Sequence, residues 1–191
     1  MVKTLVILRR YFLYDRSLLA ELSRCAWEAL RVFFREAVPQ GDAMSGAVIA
    51  IQTFGDFLGF HLHCHVLYTD GCFYGKGVFR VAPRFDPKDL RAIFEHRVLR
   101  ILLSRGKITR DLMALILSWR HSGFQVYAGP RIQPGEEEGM EHLARYIIRA
   151  SFSQERMTYL PEESKVIYES KACPRRRSGN GKEEKAFDAL E

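Results

Sequence analysis

The stretch that decides the fold reads Phe60-His61-Leu62-His63-Cys64-His65-Val66-Leu67 and ends at the turn signal Thr69-Asp70-Gly71. As a strand, its period of two places His61, His63 and His65 on one face and Leu62, Cys64 and Val66 on the other. Two imidazoles side by side on a rigid strand can share one divalent ion, whereas on a helix the same spacing points them apart. The row equally suits the solvated face of an edge strand, so spacing alone leaves both readings open.

Immediately upstream, Gly46-Ala47-Val48-Ile49-Ala50-Ile51-Gln52-Thr53-Phe54 is dense in β-branched residues and reads as a buried strand. The connector Gly55-Asp56-Phe57-Leu58-Gly59 is short enough for an antiparallel hairpin with the histidine strand. Register then has a chemical consequence. If the numbers of opposed residues sum to an odd value, Gln52 shares the face of His63; if they sum to an even value, Ile51 does. Only the first register offers a further ligand from this strand.

On the N-terminal side, Leu18, Leu22, Cys25, Ala26, Ala29, Leu30 and Phe33 recur at intervals of three and four, predicting one helix from Asp15, its N-cap, to about Val38. On the C-terminal side, Cys72 to Val81 reads as one further strand with Gly75 and Gly77 at a bulge. Asp86 is placed to cap a helix that has Pro87 at its first position, and Thr109 to about Trp119 predicts a second helix. A short strand follows between Gly123 and Tyr127, then a helix over Glu137 to Ile148, with Glu136 to Glu138 favouring its positive end. Two short β segments are expected at Met157 to Tyr159 and Lys165 to Tyr168. This order predicts an α+β fold, an antiparallel sheet with helices packed mainly on one face.

The chain's 191 residues, 47% of them hydrophobic, suffice for one sizeable core. One domain is expected over residues 10–170, with a basic, flexible tail over residues 171–191 that includes Lys171, Arg175, Arg176 and Arg177. A net charge of +6 suits a polyanionic partner. The four cysteines form no C-x-x-C pair, which argues against a structural zinc site or a disulfide framework. No apolar run approaches the roughly 18 residues of a membrane span, and Arg9 and Arg10 interrupt any leader-like segment, so a cytoplasmic protein is expected.

A second chemical element lies in Glu141-His142-Leu143-Ala144-Arg145-Tyr146-Ile147-Ile148-Arg149. Helical spacing sends Met140, Leu143, Ala144 and Ile147 toward the core and leaves Tyr146 on the margin, with His142 one turn before it and Arg149 nearly one turn after. An isolated phenol, with an ordinary pKa near 10, attacks a phosphodiester only beside cations or a general base. His142, Arg145 and Arg149 are placed to supply that setting; a tyrosine packing its ring and exposing its hydroxyl is the plainer reading of the same helix.

A His-hydrophobe-His strand, a helix tyrosine some eighty residues later and a basic surface together resemble the HUH superfamily of single-strand endonucleases. The closer resemblance is to insertion-sequence transposases of the IS ninety-one class, which move by a rolling-circle route. It is carried by Ala47 to Asp56, His63-Cys64-His65-Val66-Leu67, Thr69-Asp70-Gly71, Leu143 to Arg149 and Ser153-Gln154-Glu155-Arg156-Met157.

The resemblance implies that His63 and His65 are the HUH pair and that Tyr146 is the nucleophile. It also implies a third metal ligand, with Gln52 the first candidate and Asp56 and Gln154 behind it; His61 stands just outside the pair. Two-tyrosine members carry their other tyrosine four residues away, where this chain has His142. The implied cofactor is Mg²⁺ or Mn²⁺, and the implied partner is single-stranded DNA at transposon ends, cut through a 5′-phosphotyrosine. Arg145 and Arg149 are expected to hold phosphates, and Arg175 to Arg177 to add affinity that weakens with salt. Relatives usually extend beyond this chain at both ends, so a catalytically inactive DNA-binding remnant is the rival expectation. A zinc hydrolase is disfavoured because no H-E-x-x-H accompanies the histidines.

Overall fold

Two signals in the sequence, period-two strands around the histidines and helix faces of period three and four, become separate layers in space. A computed structural model of the chain describes residues 1–4, 6–55, 59–83, 86–148, 152–169 and 184–188. In chain order the elements are β1 (Val2–Lys3), α1 (Val6–Tyr14), α2 (Leu18–Ala37), β2 (Ala47–Phe54), β3 (Phe60–Tyr68), β4 (Gly71–Tyr74), β5 (Val78–Val81), α3 (Pro87–Ser104), α4 (Arg110–Ser118), β6 (Gln125–Val126), α5 (Glu137–Ile147), β7 (Met157–Leu160), β8 (Lys165–Glu169) and β9 (Glu184–Asp188). The fold is α+β, as expected. The chain divides into two compact units, one of Met1–Thr53 with Leu62–Ile147, the other of Phe54–His61 with Ile148–Glu191.

The first unit is built on a four-stranded sheet of order β2-β3-β1-β6. β1 runs antiparallel to both neighbours: Val2 stands opposite Cys64 and Val126, and Lys3 opposite His63 and Gln125. Alternation therefore gives the sheet an apolar face, with Val2, Leu62, Cys64 and Val126, and a polar face with Lys3, His63, His65 and Gln125. The apolar face meets α2 and α3. Val2, Val66 and Val126 line a small cavity together with Ala29 and Leu30 of α2 and Phe94 of α3. Leu18, Leu22, Cys25, Ala26, Ala29, Leu30 and Phe34 of α2 are buried, as are Leu90, Phe94, Val98, Leu99 and Leu102 of α3. Each large side chain among them contributes about 1.5–3 kcal/mol of burial. Ion pairs Arg97–Glu28 and Arg105–Glu21 join α3 and its C-cap to α2.

Local chemistry sets the ends of the elements. Asp86 accepts from the backbone N–H of Lys88 at 2.8 Å and Thr109 from that of Leu112 at 3.2 Å, capping α3 and α4. Asp15 does not cap a helix, contrary to expectation. The helix begins at Leu18, while the Asp15 carboxylate takes the Ser17 hydroxyl at 2.6 Å and pairs with Lys107 at 2.9 Å. The Ser17 hydrogen bond first, and Lys107 next, hold its pKa below the ordinary carboxylate value.

Two further expectations are corrected, and one helix lay outside them. α1 was not anticipated, because its apolar residues do not keep to one face: Val6, Ile7, Leu13 and Tyr14 are exposed. The segment Cys72 to Val81 is a hairpin, not a bulged strand, with Gly75 at φ 55° and Gly77 at φ 92° turning the chain between β4 and β5. Finally, α5 buries no residue. Met140 and Ala144, expected in the core, are exposed, and only Leu143 and Ile147 are half-buried.

The second unit carries an antiparallel sheet of order β7-β8-β9. Tyr168 is buried there; its hydroxyl accepts from the Ser153 N–H at 3.4 Å, and the Arg156 guanidinium lies 4.9 Å above its ring. β9 falls within the segment expected to be a flexible tail. Among the described residues no helix is long and apolar enough to cross a membrane.

Candidate active site

β3 presents His63 and His65 on the polar face of the sheet, their ring centroids 4.8 Å apart and nearly perpendicular at 76°. Both are buried, although they point away from the α2 and α3 layer. The strand beside them explains part of that burial. Gln52 of β2 lies on the same face, with Oε1 2.9 Å from Nε2 of His63 and 3.0 Å from Nε2 of His65. The odd-sum register is thus the one adopted, and the Thr69 N–H donating to Gly46 O at 2.9 Å agrees with it.

Three polar side chains converging in a buried place need a reason. Gln52 turns its oxygen to the Nε2 atoms of both rings, while its own Nε2 is buried without an acceptor among the described residues. With each ring protonated on Nδ1, the two Nε2 lone pairs and the amide oxygen would offer three neutral donors to one divalent ion. With Oε1 within 3.0 Å of both Nε2 atoms, these three side chains are the ones that would hold such an ion. Two imidazoles and an amide oxygen suit Mn²⁺, and admit Mg²⁺ if water fills the remaining positions. The residues present therefore fit the ion. Among the described residues no three His, Cys, Asp or Glu gather into a metal group, so the amide is needed to complete the set.

Tyr146 reaches this face from α5. Its ring meets that of His65 edge to face, centroids 5.0 Å apart and planes at 89°. At 46% exposure the residue stays open to solvent. Strand and helix thus meet through a residue pair about eighty positions apart in sequence.

A search of known families supplies the decisive comparison: the family model described as "Putative transposase" matches residues 46–191, about three quarters of the chain. The chain belongs to this transposase family. No curated protein and no solved structure matches it.

The transposase does not bring every expected site residue to the face. Arg145 pairs with Glu141 at 2.7 Å across one exposed helical turn, an arrangement worth about 0.3–0.5 kcal/mol that leaves the guanidinium easy to recruit. Gln154 begins a 3₁₀ turn in the second unit. Asp56, Arg149, Lys171, Arg175, Arg176 and Arg177 lie outside the described residues. One residue of the face was missed altogether: Lys3, directly opposite His63. A two-residue strand leaves no periodicity to read, so no signal in the sequence pointed to it.

Proposed function

We propose that this transposase cuts and rejoins single-stranded DNA by tyrosine attack beside a divalent ion, in a rolling-circle type of transposition. The observation that carries the reading is the meeting of His63, His65 and Gln52 with Tyr146 on one face. His63, His65 and Gln52 would hold Mg²⁺ or Mn²⁺, and a bound ion there supplies Lewis-acid polarisation of the scissile phosphate. Tyr146 Oη forms a bond to phosphorus and loses its proton to solvent at its exposed edge. The P–O3′ bond breaks, the 3′ oxygen takes up a proton, and the DNA 5′ end stays on the protein as a phosphotyrosine. A 3′-hydroxyl attacking that ester reverses the step and joins strands without an outside energy source. The edge-to-face contact with His65 supports the reading, since it keeps the Tyr146 ring beside the histidines.

His142 supports a second reading, a DNA-binding remnant without catalysis, because it occupies the position where two-tyrosine relatives carry their other nucleophile. One assay separates the two. End-labelled single-stranded DNA incubated with the protein and Mn²⁺ should give a denaturation-resistant protein–DNA adduct, absent with Tyr146→Phe. Binding without an adduct at any divalent ion supports the remnant.

A further inference from the structure

The polar face continues past the histidines. Across the sheet, Gln52 of β2, His63 of β3, Lys3 of β1 and Gln125 of β6 form one row, with Lys3 paired directly to both His63 and Gln125. Directly opposed residues of antiparallel strands keep their Cβ atoms about 4.5–5.5 Å apart, so the flexible lysine stem can bring its ammonium over the neighbouring imidazole.

Lys3 is half-buried, and among the described residues it has no ion pair. The residues placed on its face are amides, imidazoles and a phenol: Gln52, His63, His65, Gln125 and Tyr146. None is a carboxylate. A partly desolvated ammonium in such company lacks its counter-charge. A divalent ion held by His63, His65 and Gln52 would add positive charge to the same row and make an anionic ligand still more favourable. The group that answers both is a phosphodiester, whose two non-bridging oxygens can face two cations at once.

We propose that Lys3 binds a backbone phosphate of the single strand at the reaction centre, making β1 a part of the DNA-binding face. The inference rests on reading the site as a nuclease, but its test is separate from cutting. Lys3 supplies charge without reading bases, so its contribution is independent of sequence and sensitive to salt.

Binding of a fluorescent single-stranded oligonucleotide to the full chain is measured by anisotropy in EDTA over a series of KCl concentrations. For Lys3→Gln the affinity should fall and the slope of log K against log salt should shrink by about 0.7, the value for one phosphate contact on a single strand. Lys3→Arg should restore the slope, and matching thermal melts of the variants exclude unfolding as the cause. An unchanged affinity and slope in well-folded Lys3→Gln overturns the inference, even if Mn²⁺ still yields the Tyr146 adduct. A reduced slope with no adduct from the wild-type protein upholds Lys3 as a phosphate ligand and defeats the nuclease reading instead.

Discussion

The Oε1 of Gln52 lies within 3.0 Å of the Nε2 atoms of both His63 and His65, so one amide oxygen bridges two imidazoles. Replacing Gln52 by Ala removes one of three donors and frees both rings. Mn²⁺ affinity, read by calorimetry or by the loss of free-ion paramagnetic signal, should weaken roughly tenfold or more. Gln52→Glu should tighten Mn²⁺ binding, since it places a negative oxygen where the neutral one stands. Unaltered affinity in both variants would remove Gln52 from the ligand set.

Tyr146→Phe keeps the ring that meets His65 and removes only the hydroxyl. Its thermal stability and its affinity for single-stranded DNA should match the wild type, while the covalent adduct disappears. Tyr146→Leu should lose the edge-to-face contact as well, costing about 0.5–1.5 kcal/mol by denaturant titration. Equal stability of the Leu and Phe variants would argue that the contact does not position the ring.

Cys25 and Cys64 bring α2 and β3 together in the core, and burial pushes each thiol from 9.0 up to about 12, with Glu28 adding to the effect at Cys25. The folded state therefore keeps protons that the unfolded chain releases above the ordinary thiol value. Stability should be flat below pH 9 and fall as pH rises from there toward 12, by up to about 1.4 kcal/mol per pH unit for each thiol. A double Cys→Ala variant, though less stable at neutral pH, should show a smaller alkaline slope in urea titrations. A thiol reagent at neutral pH should modify neither residue before unfolding.

Gly71 marks where β4 leaves the turn after β3. A Cβ added there would lie 2.1 Å from the Arg80 carbonyl oxygen and 2.8 Å from its carbon, both backbone atoms of the paired strand. Gly71→Ala must push the β4–β5 hairpin apart and should cost about 1–3 kcal/mol, read as a lower melting temperature. Gly41→Ala, which meets nothing within 4 Å, serves as the control.

The fold was legible wherever one element could be recognised from its own residues. The histidine strand, the Gly46–Phe54 strand, the Asp86 cap and the helix that starts at Thr109 all declare themselves within a few positions. What escaped depends on partners distant in sequence. Val2–Lys3 is a strand only because β3 and β6 flank it, and Lys3 joins the polar face only through that register. Gly75 and Gly77 signalled an irregularity but not whether the chain bulges or reverses; the pairing of Phe73 with Phe79 decides for reversal. In the site, both possible registers of Gln52 were visible beforehand, and the choice between them belongs to the packing of the whole sheet.

The strand order β2-β3-β1-β6 also dictates the sequence in which the polar face is assembled. Gln52, His63 and His65 come from neighbouring strands and can converge as soon as that hairpin closes. Lys3 takes its place when β1 closes on β3 and β6, and the closure between Val2 and Val126 bears the entropy of a long loop. During synthesis the three polar side chains of that hairpin are thus able to meet early, and the lysine opposite them late. The complete polar face therefore arises only once the sheet is whole.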